Sequence, residues 1–452
     1  MASMESYEAA GQHYSSSANA SPIEHGRTPD DPFMDLKFRI YDHLINELDF
    51  KKLDGMDRAS IRSAVEEAAG VILLNEEVAL ARQERSRLAA EIADEVLGLG
   101  PLEPLLHDPT ITEVLVNHPN QILIERKGIL HLSNKVFKDE AHIMRIVDRI
   151  LAPLGRRADE TSPMVDARLP DGSRVNVIIP PVAMEGACIS IRKFSRDVLN
   201  SDDLVNLGTL TPEAAEFLEA CVKGKINIAV SGGTGTGKTT LLNVLSSFIH
   251  RTDRVITIED PAELQLRQPY VVRLETRPPN IEGKGQIVQR DLVRNALRMR
   301  PDRIIVGEVR SGEAFDMLQA MNTGHEGSLT TVHANAPRDA LARIENMVLM
   351  ANLDLPIKAI REQIASALQL IIQISRMQDG RRCVTQVTEI AGMEGEIITM
   401  QDIFKLRHVR QEDGQLEGKL MPTGLRPKLI ERLEVKGIAL PSDIFLVARI
   451  AA

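Results

Sequence analysis

A glycine-rich stretch, SGGTGTGKTT at residues 231–240, constrains the fold of this chain more than any other feature of the sequence. Gly232 is followed after four residues by Gly237, Lys238 and Thr239, with an apolar run before the stretch and a helix-forming run after it. Glycines let backbone N–H groups turn inward around phosphate oxygens, and a following helix directs its positive dipole end at them. The pattern therefore predicts a strand, a phosphate-binding loop and a helix.

The side chains of this stretch predict how a nucleotide is held. Lys238 is expected to reach the β- and γ-phosphates, and the hydroxyl of Thr239 is expected to bind Mg²⁺. The predicted nucleotide-binding residues are Gly232, Gly233, Thr234, Gly235, Thr236, Gly237, Lys238, Thr239 and Thr240.

Hydrophobic periodicity divides the chain into regions. The start is rich in Ser, Ala and Glu without periodicity, and it is followed first by apolar residues three and four apart and then by short alternating runs. Around the phosphate loop, apolar strands alternate with helices, which indicates a largely parallel α/β sheet. The predicted order is a disordered tail, a helical bundle, an α+β domain, a linker and an α/β domain, at residues 1–33, 34–97, 98–196, 197–207 and 208–452.

Carboxylates follow two of the predicted strands. RIIVGEVR ends in Gly307 and Glu308, where many phosphate-loop proteins carry an Mg²⁺-binding Asp before the glutamate, so Glu308 is expected to serve alone or to share that task. A carboxylate at such a strand end can polarise the attacking water. The alternative is a solvated glutamate in a loop.

VITIEDPAEL supplies Glu259, Asp260 and Glu263 at another strand end. Crowded negative charges favour a site with a divalent cation or with bound Arg and Lys groups. The alternative is an acidic cluster that caps a helix starting at the following proline. The predicted metal ligands are Thr239, Glu308 and Glu263.

A single histidine, His333, closes the run SLTTVH one helix beyond Glu308. The carboxyl ends of parallel strands meet at the ligand, so a neutral imidazole there can hydrogen-bond a phosphate and gain charge when phosphate departs. This placement predicts a sensor or relay, and a purely structural histidine is the alternative. No second ligand lies at metal spacing nearby.

Composition excludes several classes of function. The net charge is −10 and aromatic residues make up 3% of the chain, with no Trp, which disfavours a nucleic-acid-binding protein. The three cysteines, Cys188, Cys221 and Cys383, have no CxxC spacing, so we expect reduced thiols rather than disulfides or zinc. No signal peptide and no membrane-spanning run are predicted.

Four stretches occur in the order found in the secretion-ATPase superfamily of type II and type IV secretion and type IV pili. They are SGGTGTGKTT, ITIEDPAEL, MRPDRIIVGEVRSGEA and TGHEGSLTTVHANAPRDALARIENM. The superfamily calls the last three the Asp box, Walker B and His box. The run from VVRLET to GEVR most resembles the tight-adherence pilus assembly ATPases, the CpaF/TadA branch. The similarity extends over roughly residues 95–420.

This resemblance implies a hexameric ATPase that hydrolyses ATP with Mg²⁺, with a PAS-like α+β domain before a RecA-like domain and nucleotide between them. It implies that Glu308 is the Walker B glutamate, that Glu259, Asp260 and Glu263 form the Asp box, and that His333 is the His-box histidine. Arginines of the first domain, for which this chain offers Arg168, Arg174 and Arg192, are expected to reach the phosphates. The alternative is that they are ordinary solvated strand residues.

The function implied by the resemblance is assembly of a tight-adherence type IV pilus or a related secretion process. The expected partners are further copies of the chain, inner-membrane pilus platform proteins and regulators of the pilus system or its polar localisation. We expect a cytoplasmic protein, peripheral at the inner membrane, with no zinc because the CxxC pairs of some relatives are absent. Two alternatives are a hexameric nucleic-acid motor on the same core and a nucleotide-gated scaffold without turnover.

Overall fold

The computed structural model describes most of the chain in two compact units, residues 1–195 and 196–452. The described residues are 33–47, 56–76, 78, 80–126, 128–194, 199–279, 283–351, 353–377, 379–410 and 416–446. The predicted tail, residues 1–33, lies outside them except for Phe33.

The first unit begins with three helices, α1 (Met34–Glu47), α2 (Arg58–Asn75) and α3 (Arg82–Leu97). Asp57 caps α2, since its carboxylate accepts hydrogen bonds from the backbone N–H groups of Ala59 and Ser60. The apolar faces of the three helices share one core. The helices that the 3.6-residue periodicity predicts are therefore present.

The rest of this unit is an antiparallel sheet with one long helix. Its elements are α4 (Glu103–His107), β1 (Glu113–His118), β2 (Gln121–Arg126), β3 (Ile129–Leu132), α5 (Glu140–Leu151), β4 (Met164–Arg168), β5 (Arg174–Ile178) and β6 (Cys188–Arg192). The strand order is β3-β2-β1-β6-β5-β4. Ile143, Ile146 and Ile150 of α5 share one core with the inward-facing residues of the sheet.

The second unit is an α/β domain with a nine-stranded sheet of order β15-β14-β13-β12-β7-β11-β10-β8-β9. Its strands are β7 (Ile228–Ser231), β8 (Val255–Glu259), β9 (Val271–Glu275), β10 (Arg303–Val309), β11 (Leu329–Val332), β12 (Leu370–Arg376), β13 (Arg382–Glu394), β14 (Ile397–Arg410) and β15 (Leu416–Pro422). Its helices are α6 (Ser201–Asn206), α7 (Pro212–Lys223), α8 (Lys238–Ser247), α9 (Gln289–Ala296), α10 (Glu313–Asn322), α11 (Pro337–Leu349), α12 (Ile357–Ala367) and α13 (Leu429–Val435).

Parallel pairing runs from β12 through β7, β11, β10 and β8 to β9, and β13, β14 and β15 extend the sheet in antiparallel fashion. Every residue of β7, β8 and β11 is buried, as expected for parallel strands covered on both faces. The predicted fold class is confirmed: a RecA-like phosphate-loop domain follows an α+β domain and a helical bundle. The sequence pattern does not predict β14, β15 or α13, and α6 lies within residues 197–207, the predicted linker.

Candidate functional site

The glycine-rich stretch joins the end of β7 to the start of α8. Gly235 and Gly237 have φ values of 70° and 95°, in the left-handed region that favours glycine. A Cβ added at Gly232 would lie 2.5 Å from the carbonyl oxygen of Ile374, so this position also requires glycine. The N-terminus of α8 follows at once and leaves its first backbone N–H groups available to an anion.

Two side chains close the loop on itself. The Thr236 hydroxyl donates to the carbonyl oxygen of Gly233 at 3.0 Å, and the Lys238 ammonium donates to the same oxygen at 2.8 Å. Burial lowers the pKa of Lys238, and the negative charge of Glu308 opposes this shift. Lys238 therefore lies over the loop, within electrostatic reach of the Walker B strand.

The strand register brings three predicted site segments to one edge of the sheet. Ser231 pairs with Val332, and Val332 pairs with Val309 on the next strand. The residues just beyond, Gly232 and His333, are thus neighbours, and Glu308 directly precedes Val309. The backbone N–H of Gly232 also donates to the Val332 carbonyl at 3.3 Å.

Glu308 of β10 forms an ion pair with Arg310, the residue directly after the end of that strand. Nε and Nη2 of Arg310 donate to the same carboxylate oxygen, Oε2, at 2.8 and 2.5 Å. The Glu308 side chain is 24% exposed, so it lies at the surface of the site and is not freely solvated. The alternative of a solvated loop glutamate is wrong, because Glu308 lies within β10 and is held there.

Two carboxylates of the acidic stretch, those of Glu259 and Asp260, lie in different environments. Glu259 is buried, and its Oε2 accepts hydrogen bonds from the backbone N–H groups of Glu263 at 2.6 Å and Leu264 at 2.8 Å. Its other oxygen, Oε1, is also buried and has no hydrogen-bond partner among the described residues. Asp260 instead accepts a 2.6 Å hydrogen bond from the hydroxyl of Thr276.

Burial raises the pKa of Glu259, and the two backbone hydrogen bonds together with the nearby Thr257 hydroxyl oppose this shift. The alternative of a helix-capping cluster is wrong, because residues 261–270 form an irregular segment rather than a helix. A buried carboxyl with one unsatisfied oxygen is a group prepared to accept a proton or a hydrogen bond.

Gly307 leaves room for this carboxyl group. A Cβ added at Gly307 would lie 3.0 Å from Cγ of Glu259, across the pair of strands β10 and β8. Many phosphate-loop proteins carry an aspartate at the position of Gly307. Here the Glu259 side chain from the neighbouring strand β8 fills the space beside that position. Thr331 supports the backbone here by donating from its hydroxyl to the Gly307 carbonyl at 2.7 Å.

His333 is half-buried at the end of β11, and no hydrogen bond to its ring occurs within the described part of the chain. The backbone beyond it is held by two buried side chains. Ser231 Oγ and Gln373 Nε2 both donate to the Ala334 carbonyl, at 3.5 and 3.2 Å. The position of the histidine is thus tied to the last residue before the phosphate loop.

The three predicted arginines of the first unit form one cross-strand row. Arg168 pairs with Arg174, and Arg174 pairs with Arg192. Directly paired residues share a face, so the three guanidinium groups lie on the same face of this sheet. The row continues to Glu113, whose Oε1 lies 3.8 Å from Nε of Arg192.

Two family models match the chain. The family described as "Type II/IV secretion system protein" matches residues 95–416, and the family described as "Type II secretion system protein E, N-terminal domain" matches residues 33–97. The chain belongs to the type II/IV secretion system protein family. The predicted superfamily and the predicted enzyme class, an ATPase that uses ATP, are thereby confirmed.

This secretion-family chain is similar to proteins from several bacteria. A putative conjugal transfer protein of Mycobacterium tuberculosis is 38% identical over 309 residues, which are 67% of this chain and 87% of the relative. The type IV secretion system protein VirB11 of Bartonella quintana is 31% identical over 330 residues, 64% of this chain and 91% of the relative. A crystal structure of the VirB11 ATPase of the Brucella suis type IV secretion system, in complex with sulphate, is 30% identical, with a TM-score of 0.35 over 64% of this chain and 95% of that chain.

Two further findings bear on the sequence predictions for this secretion-family chain. Among the described residues, no helix is both long enough and apolar enough to cross a bilayer. Nor do three His, Cys, Asp or Glu side chains come together as a metal site in the described ranges.

Sequence reasoning missed several residues at this site. Arg310 could have been found, because residues i and i+2 of a strand lie on the same face and Arg310 is two residues from Glu308. Gln373 and Arg382 gave no local signal. They reach the site through pairing of β12 with β7 and of β13 with β12, which a single sequence does not reveal.

Proposed function

We propose that this chain is the hexameric, cytoplasmic ATPase of a tight-adherence type IV pilus or of a related secretion process, peripheral at the inner membrane. In this proposal ATP hydrolysis with Mg²⁺ drives assembly through inner-membrane platform proteins. The observation that carries the proposal is the meeting of the phosphate loop, Glu308, Glu259 and His333 at one edge of the parallel sheet. Such an edge is where ligands bind in α/β folds.

The proposed roles follow from the contacts. Residues 232–240 hold the phosphates through backbone N–H groups, and Lys238 moves from the Gly233 carbonyl to the β- and γ-phosphates. Water attacks the γ-phosphorus, the bond to the β,γ-bridging oxygen breaks, and a carboxylate takes the proton of the water. Glu308 and Glu259 are the two carboxylates proposed for this proton transfer.

The oxygen ligands at the loop suit Mg²⁺. The Thr239 hydroxyl follows Lys238 directly, and the negative charges of Glu308 and Glu263 both act on Lys238, where they oppose the lowering of its pKa by burial. Hydroxyl, carboxylate and phosphate oxygens are the ligands that Mg²⁺ prefers, and few of them need to come from the protein. We propose Thr239, Glu308 and Glu263 as its ligands, where Mg²⁺ would neutralise phosphate charge when bound.

The row of Arg168, Arg174 and Arg192 is proposed to stabilise negative charge on the phosphates in the transition state. Strand pairing places the three guanidinium groups side by side on one face of the sheet, which supports this role because several cations on one face can together stabilise phosphate charge. His333 is proposed to sense the γ-phosphate and to relay its loss.

The finer assignment to tight adherence rests on the resemblance of residues 271–310, and the domain limits 34–97, 98–196, 197–207 and 208–452 are proposed with it. The family matches, which meet near residue 96, support the first of these boundaries.

The hexamer can be tested by light scattering with ATP and Mg²⁺. A mass of about six times the 50.0 kDa of one chain is expected, and a monomer under all conditions would contradict it.

Lys238→Ala tests the proposed ATPase directly. We expect ATP turnover to fall by about 100-fold or more, because the charge facing the transferred phosphoryl group is lost. Phosphate release by the purified protein with Mg²⁺ is the measurement. Lys223→Ala is the matched control, since Lys223 forms an ion pair with Glu219 on α7 and has no contact with the loop. Absence of hydrolysis by the wild type, or equal rates in both variants, would overturn the proposal.

His333→Ala tests the proposed relay. ATP affinity is expected to remain within about twofold, while turnover falls by about tenfold, because the imidazole acts on the phosphate only during the reaction. Affinity is measured with a non-hydrolysable ATP analogue and turnover by phosphate release. The control is His250→Ala, an exposed histidine that contacts Thr252. Unchanged turnover in His333→Ala would assign this residue to a structural role.

A further inference from the structure

The β12–β13 hairpin borders the phosphate loop on the side away from Glu308. In the sheet, β12 and β13 lie on one side of β7, whereas β11, β10 and β8 lie on the other. Ile374 of β12 packs on the loop, since its carbonyl oxygen and Cγ2 would lie 2.5 and 3.0 Å from a Cβ added at Gly232. The hairpin is therefore a wall of the loop.

Arg382, the first residue of β13, lies against this loop. Its Nε donates to the carbonyl oxygen of Gly235 at 3.1 Å, and its Cδ would lie 3.3 Å from a Cβ added at Gly237. Neither terminal nitrogen of this guanidinium group has a hydrogen-bond or ion-pair partner within the described ranges. The Nε edge of the Arg382 guanidinium group thus holds the side chain on the loop, and the two terminal nitrogens can still donate hydrogen bonds to a ligand.

A second arginine stands directly opposite. Arg376, the last residue of β12, pairs with Arg382, so both side chains are on one face of the hairpin, the face that also carries Ile374 two residues earlier. No carboxylate pairs with Arg376 in the part of the chain that the structure describes. The nearby Arg381 differs, because its Nε donates to Asp379 at 2.6 Å.

Two like charges directly opposite each other destabilise an antiparallel pair unless an anion lies between them or near them. The order of the strands in the sheet indicates which part of a bound nucleotide supplies this anion. Glu308 and His333 mark the γ-phosphate end of the loop, on the β10 and β11 side, so the opposite end of a bound triphosphate lies on the β12 side. Lys238, which is proposed above to reach the β- and γ-phosphates, begins α8 directly after the loop.

We propose that Arg376 and Arg382 form a binding site for the α-phosphate of the nucleotide, with Arg382 as the principal contact. The inference rests on the proposed nucleotide-dependent function. It adds two residues that lie outside the phosphate loop and outside the acidic stretch at residues 259–263. The α-phosphate keeps its charge and its place while the γ-phosphoryl group is transferred. The contact therefore contributes equally to the ground state and to the transition state.

Because the contact contributes equally to ground-state and transition-state binding, its loss should change nucleotide affinity but not kcat. A residue that only shapes the loop would not give this result. Arg382→Ala is expected to raise the Kd for ADP and the KM for ATP by the same factor, about 5- to 10-fold, and to leave kcat unchanged. Arg382→Lys should recover part of the affinity, since it keeps the charge, whereas Arg382→Gln should not. Arg376→Ala should show the same pattern with a smaller factor.

The experiment measures ADP binding by calorimetry and ATP turnover by phosphate release on the full chain. Arg381→Ala is the matched control from the same hairpin, and thermal unfolding of each variant verifies its fold. A fall in kcat with an unchanged Kd for ADP would assign Arg382 to shaping the loop and overturn the inference, as would unchanged Kd and KM. Failure of the wild type to bind ADP would instead overturn the proposed function itself.

Discussion

Replacing Glu308 by glutamine is expected to lower the turnover number for ATP hydrolysis by about 100-fold or more and to leave nucleotide affinity nearly unchanged. Glutamine has almost the same shape but cannot take a proton from the attacking water. It also lacks the charge that pairs with Arg310 at 2.5 Å. Turnover is measured by phosphate release, and affinity is measured with a non-hydrolysable ATP analogue.

The control for this variant is Glu326→Gln. Glu326 also pairs with a basic side chain, the Lys436 ammonium at 2.9 Å, and it precedes β11, at the opposite edge of the sheet from the phosphate loop. Turnover in Glu326→Gln should stay within about twofold of the wild type. Equal losses of binding and turnover in Glu308→Gln would show that Glu308 acts in nucleotide binding rather than in proton transfer.

Replacing Glu259 by glutamine is expected to reduce turnover on a similar scale, about 100-fold, and to change its pH dependence. The carboxyl group must be ionised to accept a proton, and burial raises its pKa above the ordinary value of 4.5. The acid limb of the wild-type kcat profile should therefore lie above pH 4.5, and Glu259→Gln should lack it. A variant with an unshifted acid limb would exclude Glu259 as the titrating group.

The same shift has a consequence for stability. A carboxyl group with a raised pKa in the folded state binds its proton more tightly there than in the unfolded chain. The wild type should therefore gain free energy of unfolding relative to Glu259→Gln as the pH falls through the raised pKa. This gain should end near the unfolded value of 4.5. Denaturant unfolding between pH 7 and pH 4 measures it.

Glu389→Gln is the matched control for the substitution at Glu259. Glu389 is equally buried, and it too accepts two backbone hydrogen bonds, from Lys428 and Leu429, at the start of α13 rather than at the phosphate loop. Stability is expected to fall in this variant, while turnover of the folded protein stays within about twofold of the wild type. A comparable loss of turnover in both variants would mean that the effect is structural.

The local sequence pattern was sufficient to predict the strands and helices around the phosphate loop. The strands that end at Ser231, Glu259 and Val332 are short, wholly buried runs rich in apolar and β-branched residues, and parallel strands bring such ends to one edge. The convergence of His333 and the phosphate loop on one edge of the sheet could therefore be predicted from the sequence, whereas their adjacency depends on the pairing of β7 with β11. The three helices of the first unit had equally local signals, namely apolar residues three and four apart.

Contacts between distant segments could not be predicted in the same way. Arg382 and Gly235 are 147 residues apart, and their hydrogen bond depends on the order of three strands. The row of Arg168, Arg174 and Arg192 depends on the register of two strand pairs, in which a shift by one residue would place Arg174 on the other face. Burial of Glu259 depends on the missing side chain of Gly307 on a different strand.

This last contact links two positions that lie 48 residues apart in the sequence, because residues 259 and 307 share a single volume. An aspartate at residue 307 and a glutamate at residue 259 would compete for the same space and would repel each other. A larger residue at position 307 is therefore expected to be tolerated only when residue 259 becomes smaller at the same time. The effect of a substitution at one position on stability or turnover should thus depend on the residue at the other.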